Sequence, residues 1–167
     1  MSQHSLGEAL VRVFNRVFQA AEATILCGGA AEPYYEPGAP SVIYFRDDFD
    51  RSALHEVAHW CVAGPVRRGL SDYGYWYAPD GRNAEQQSAF YSVEVKPQAI
   101  EALFCESLGL TFAVSVDNLT VDANCPEITD FKAAVDRQIM RFRQQGLPGR
   151  ALRFKKALTL LAIERSG

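Results

Sequence analysis

Two histidines four positions apart, with a glutamate directly after the first, stand in the stretch "LHEVAHWC" at residues 54–61. On a helix, positions i and i+4 project from one face a turn apart, so His55 and His59 can reach one metal ion at about 2.0–2.1 Å without distorting the backbone. Glu56 lies roughly 100° round the helix from His55, close enough to act on a group held by that metal. Two imidazoles leave the ion under-coordinated, so a third protein ligand is required. The remaining histidine, His4, sits near the N-terminus and is a poor candidate, which points to a carboxylate downstream. Glu94 follows His59 by 35 residues, just before Pro97, where an extended segment would bring it against the metal-bearing helix. Glu85, Glu101, Glu106 and Asp72 compete with it, and spacing alone does not choose among them.

Such a donor set serves more than one chemistry. With zinc and an open position it makes a peptidase or amidase, in which Glu56 takes the proton from a water that attacks a carbonyl. With Fe(II) the same two imidazoles and one carboxylate form the facial triad of oxygenases. A non-catalytic adaptor with a structural metal is the third class, although structural zinc sites generally use four protein ligands.

The elements that must position these residues can be read along the chain. Apolar residues at helical spacing from Leu6 to Ile25 predict an amphipathic helix over residues 5–26. The Gly- and Pro-dense "CGGAAEPYYEPGAPS" reads as a surface loop, and "SVIYFR" (41–46) as a strand. The "DDFD" that follows offers N-cap candidates for a helix from about Asp50 to Ala63, stopped by Gly64-Pro65. "FYSVEV" (90–95) reads as a strand or an extended approach to a helix that opens with Pro97 in its first turn and closes at Gly109. "TFAVSV" (111–116) reads as a further strand, and two helices, from Pro126 to Gly146 and over residues 149–166, complete the chain. The expectation is one α+β domain over residues 1–167.

Composition narrows the class of protein. With 167 residues and 48% apolar content the chain can bury a sizeable core. It has no apolar run near the roughly 18–20 residues of a membrane span, and Glu8, Arg12, Asn15 and Arg16 interrupt any signal-peptide core, so a cytoplasmic, non-membrane protein is expected. Cys27, Cys61, Cys105 and Cys125 are scattered without a CxxC pair, which suits reduced, mostly buried thiols. The net charge of −3 hides an asymmetry: residues 1–129 carry 8 Lys and Arg against 17 Asp and Glu, residues 130–167 carry 9 against 3. The basic stretch from Arg137 to Lys156 is either a docking face for an acidic protein or the solvated side of two helices. It lacks the interleaved aromatics of a nucleic-acid surface, so no direct nucleic-acid contact is expected.

The segments "HEVAHWCVAGPVRRGLSDYGYWYAPDGRNAEQQSAF" and "VEVKPQAIEALF" resemble the bacterial elongation factor P hydroxylase family, and the likeness runs over about residues 54–118, with "DNL" (117–119) after it. The resemblance implies a helix bearing HExxH packed on a small mixed sheet in a zincin-like fold, with C-terminal helices. It also implies Fe(II)- and O2-dependent hydroxylation of a lysine on elongation factor P, normally one that already carries a lysyl group. Carried over by position, His55, His59 and Glu94 match the metal ligands, while Glu56 would relay a proton, support the ligands or meet a substrate amine. Tyr73, Tyr75, Trp76 and Tyr77 would then hold a lysine ammonium against their ring faces, and Asp72 and Asp80 would pair with the extra amine; alternatively this segment packs the core and one cleft wall. No 2-oxoglutarate-binding pattern, such as an Arg after a distal His ligand, is visible.

Overall fold

The computed structural model describes residues 4–75, 82–115 and 125–167. In order these form α1 (Leu6–Glu22), β1 (Thr24–Ala30), β2 (Tyr34–Glu36), β3 (Ser41–Arg46), α2 (Asp50–Val62), the short α3 (Pro65–Arg68), a 3-10 turn (Ser71–Gly74), α4 (Ala84–Ser107), α5 (Pro126–Gln145) and α6 (Gly149–Ser166). The architecture is α+β, mostly helical, with a small mixed sheet: β3 lies centrally, parallel to β1 and antiparallel to β2.

The N-terminal third departs from the helix and loop predicted for it. α1 starts where the Ser5 hydroxyl accepts from the Glu8 N–H, and ends at Glu22 because Ala23 turns left-handed (φ 48°). Thr24 and Ile25 therefore open a strand and do not extend the helix, and β1 runs on through the two glycines that read as a loop. Between Cys27 and Ala30 the pairing with β3 shifts register, and Gly29 at φ 92° makes that bulge possible. Gly28 is required for a different reason: a Cβ there would lie 2.8 Å from the Phe45 ring and 2.9 Å from the Asp47 carbonyl oxygen. β2 also falls inside the expected loop; Pro33 and Pro37 bracket it, as suits an edge strand.

β3 and α2 lie where the sequence places them, with one difference at the helix start. Phe49 occupies the N-cap without a side-chain cap; Asp47 makes the preceding turn at φ 46°, and Asp50 puts a carboxylate in the first turn. α2 buries Ala53, Leu54, Val57, Ala58, Trp60 and Cys61, which leaves His55, Glu56 and His59 on the opposite side. Gly64-Pro65 ends it, and Pro65 starts α3.

The largest correction is α4. It does not open at Pro97: a reciprocal capping box starts it at Asn83, whose Oδ1 accepts from Gln86 N–H at 2.8 Å while Gln86 Oε1 accepts from Asn83 N–H at 3.0 Å. "FYSVEV" is thus helical, its β propensity overridden by burial of Phe90 and Glu94 one turn apart on the inward face. Residues 111–115, expected as a strand, join no sheet. Ser115 instead pairs with a side chain, donating N–H to Gln98 Oε1 at 3.0 Å and accepting from Gln98 Nε2 at 2.7 Å. Val116, and the "DNL" at 117–119, lie outside the described residues.

The main core gathers Phe14 and Phe18 of α1, Trp60 of α2, Phe104 of α4 and Phe154 of α6, with ring centroids 4.8–6.3 Å apart. A smaller cluster of Ala99, Phe131 and Val135 joins α4 to α5. Three arginines of the basic C-terminal stretch make contacts within the protein. Arg150 lies over Trp60 and donates to the carbonyls of Cys61 and Ala63, Arg153 lies over Phe18 near Glu22, and Arg143 pairs with Glu106. Cys61 and Cys105 are buried, Cys27 and Cys125 half-buried, and all four are free thiols. Among the described residues no helix is long and apolar enough to cross a membrane. Phe154→Ala should lower the unfolding free energy by about 3–5 kcal/mol, because it opens a cavity among four fully buried rings; urea denaturation followed by circular dichroism measures it.

Candidate metal centre

α2 and α4 pack side by side, and one stripe of each supplies the site. From α2 come His55 and His59; from α4 come Glu94, Gln98 and Glu101, at i, i+4 and i+7, hence on a single face. The Nε2 atoms of the two histidines lie 3.2 Å apart. Glu94 reaches both, with Oε2 2.6 Å from His59 Nε2 and Oε1 3.4 Å from His55 Nε2. Among the described residues, His55, His59 and Glu94 are the group of three whose donor atoms all lie within 4.8 Å of one another. Two imidazole nitrogens and a carboxylate oxygen directed at one point suit a divalent ion such as iron or zinc, so these residues fit the metal their types imply.

The surroundings hold that geometry. Glu94 is 5% exposed, and Gln98 Nε2 donates to its Oε1 at 3.1 Å. Because the same amide is bonded to Ser115, the carboxylate is tied to the backbone of the 111–115 segment. On the other side Glu101 Oε1 lies 2.6 Å from His55 Nδ1, the nitrogen that faces away from Glu94 and His59. Burial by itself opposes the charged form of His55, yet the Glu101 hydrogen bond and the charges of Glu94, Glu101 and Glu56 push its pKa up to about 10. Burial likewise opposes ionised Glu94, but the charge and hydrogen bond of His59, the charge of His55 and the Gln98 amide hold it down at about 2. Glu56 is half-buried beside the two histidines, and burial raises its pKa against their opposing pull.

These groups line a cleft of about 670 Å³ together with Asp72, Tyr73 and Tyr75, with Arg46, Phe49 and Arg51 also on its walls. Asp72 has its carboxyl raised by burial, and its Oδ1 accepts from the Tyr35 N–H at 2.9 Å. Tyr73 is buried and stacks on Tyr35 with centroids 4.3 Å apart; the Tyr75 ring faces the Arg67 guanidinium at 3.9 Å. One face of each ring is therefore already occupied. Trp76, Tyr77 and Asp80 lie outside the described residues. Of the competing carboxylates, Glu85 is exposed in the first turn of α4 and Glu106 is paired with Arg143 outside the cleft. Sequence reasoning missed Gln98 altogether and weighed Glu101 only as a ligand. The 94–98–101 spacing would have shown both, had residues 90–95 been read as helix.

Comparisons with known proteins identify the family of the chain. The family model described as elongation factor P hydroxylase matches residues 13–163, well beyond the 54–118 stretch and into α1 and α6. A protein of Haemophilus influenzae (strain ATCC 51907 / DSM 11121 / KW20 / Rd) named elongation factor P lysine hydroxylase is 44% identical over 160 residues, which cover 93% of this chain and 88% of that protein. With the family model spanning residues 13–163 and such a relative covering 93% of its length, the chain belongs to the elongation factor P hydroxylase family.

Proposed function

We propose that this protein hydroxylates a lysine side chain of translation elongation factor P, one extended by a lysyl group, and that it does so in the cytoplasm with Fe(II) and O2. The reading rests on one observation above the others: His55, His59 and Glu94 converge at an acidic cleft in a chain of this family. Iron held by these three residues would supply O2 activation and leave neighbouring coordination positions open. The protein's own groups do the rest. Glu94, ionised through the whole physiological range, provides the negative charge that retains a divalent cation. The cleft, about 670 Å³ in volume, has room for a side chain, and its carboxylates favour a cationic one. Glu56 and Asp72, both with raised pKa values, are placed to accept an ammonium or hold a proton at its carboxyl oxygen. Since Tyr73 and Tyr75 each have a ring face taken, we assign them to the cleft wall, with the carboxylates as the primary amine partners.

Mass spectrometry of elongation factor P tests this directly. After anaerobic Fe(II) loading, then O2 and a reductant, the modified lysine should gain the mass of one oxygen atom. The gain should be absent without iron. His55→Ala, His59→Ala and Glu94→Ala should each lose metal and activity together, because each removes one of three protein ligands. Full metal occupancy in Glu94→Ala would show that another carboxylate ligates. Metal binding should also release protons: without metal His55 holds its proton up to about pH 10, and Nε2 must shed it to ligate. Affinity should therefore rise about tenfold per pH unit from neutrality towards pH 10. Titration calorimetry in two buffers of different ionisation enthalpy should count at least one proton released at pH 7, and none would contradict this assignment.

A further inference from the structure

We propose that Glu101 is a positioning residue for His55 and not a metal ligand: its carboxylate holds Nδ1 so that Nε2 is the nitrogen presented to Glu94 and His59. The inference rests on the metal reading above and adds to it a residue outside the ligand set. Glu101 Oε1 sits 2.6 Å from His55 Nδ1, whereas the His55 contacts to His59 and Glu94 are all made by Nε2, at 3.2 and 3.4 Å. The two ring nitrogens point outward in different directions, so an oxygen bonded to Nδ1 is turned away from whatever Nε2 binds. A carboxylate accepts only, which obliges Nδ1 to carry the hydrogen and frees the Nε2 lone pair.

The surrounding structure fixes this arrangement. Glu101 is 9% exposed and lies on α4 two turns beyond Glu94, so the same helix face that brings in the ligating carboxylate brings in the orienting one. Gln98, between them, does for Glu94 what Glu101 does for His55. A purely structural role, an ion pair joining α2 to α4, would also place these atoms together, and the two roles differ in what happens to the imidazole. If Glu101 only joins the helices, its removal changes stability and does not weaken metal binding.

Co(II) binding to the purified full chain separates the two. Wild type, Glu101→Gln and Glu101→Leu are titrated with Co(II) against a competing chelator, the visible spectrum is recorded, and apo-protein thermal stability is followed alongside. Glu101→Leu should bind Co(II) about 10–100-fold more weakly, with a shifted spectrum. Glu101→Gln, whose amide oxygen still accepts from Nδ1–H, should lose less and keep the wild-type spectrum. With Zn(II) in place of Co(II), ¹⁵N-histidine spectra should show a solvent-protected Nδ1–H on His55 in wild type and Glu101→Gln. Affinities equal to or tighter than wild type in Glu101→Leu, with an unchanged spectrum, would overturn the positioning role, as would loss of a coordinated ligand in Glu101→Gln. If Glu101→Leu does not fold, Glu101→Gln still decides: a weakened Co(II) affinity with the His55 Nδ1–H signal kept supports the positioning role, and an affinity equal to wild type overturns it. A wild-type protein that takes up no Co(II) would overturn the metal reading itself, and the positioning role with it.

Discussion

Two carboxylates, Glu94 and Glu101, lie buried between α2 and α4, each against an imidazole. Leaving a carboxylate unpaired in such a place costs several kcal/mol, so the pairing of the α4 carboxylates with the α2 histidines constrains how these helices can pack. The constraint propagates outward. α4 must be continuous from Glu94 through Glu101 to present both groups on one stripe, and Pro97 lies within that span although an interior proline costs a helix about 3 kcal/mol. Burial of Phe104 and Ile100 in the main core, and of Ala99 against Phe131, holds the helix to this path. The aromatic core in turn fixes α2, since Trp60 packs edge-on against both Phe14 and Phe18 on the side away from His55 and His59.

How much of this could be read from the residues depended on whether the governing contact was local. The HExxH helix was legible because its periodicity, its Gly-Pro stop and its histidine spacing all lie within fifteen residues of one another. The two C-terminal helices were legible for the same reason, each marked by Pro or Gly at its ends. β1 and β2 were not, because what makes "TILCGGA" and "YYE" strands is their pairing with β3 across the chain. α4 was misjudged where β-branched and aromatic residues outweighed an Asn-x-x-Gln capping box that was present in the sequence. The strand expected at 111–116 failed instructively: Ser115 does make strand-like bonds through both N–H and C=O, but to the amide of Gln98.

The site shows the same division. Residue types singled out the two histidines as candidates, and the family resemblance favoured Glu94 among five carboxylates. Geometry then separated roles that types alone leave equivalent: one glutamate faces Nε2 of both rings and the other faces Nδ1 of one. The basic stretch was divided similarly, with Arg143, Arg150 and Arg153 turned to hold α5 and α6 against the body of the protein.

The sheet has a property that follows from two hydrogen bonds to its outer strands. On β1 the Leu26 N–H donates to Asn15 Oδ1 at 2.9 Å, and on β2 the Tyr35 N–H donates to Asp72 Oδ1 at the same distance. Each donor sits on the side away from β3 and would otherwise be offered to any extended chain drawing alongside. With those positions taken by the protein's own side chains, another polypeptide cannot lengthen the sheet there without first displacing Asn15 or Asp72. Neither edge offers those two donors to a second copy, and beside the cleft the Tyr35 N–H is already taken from any guest's backbone.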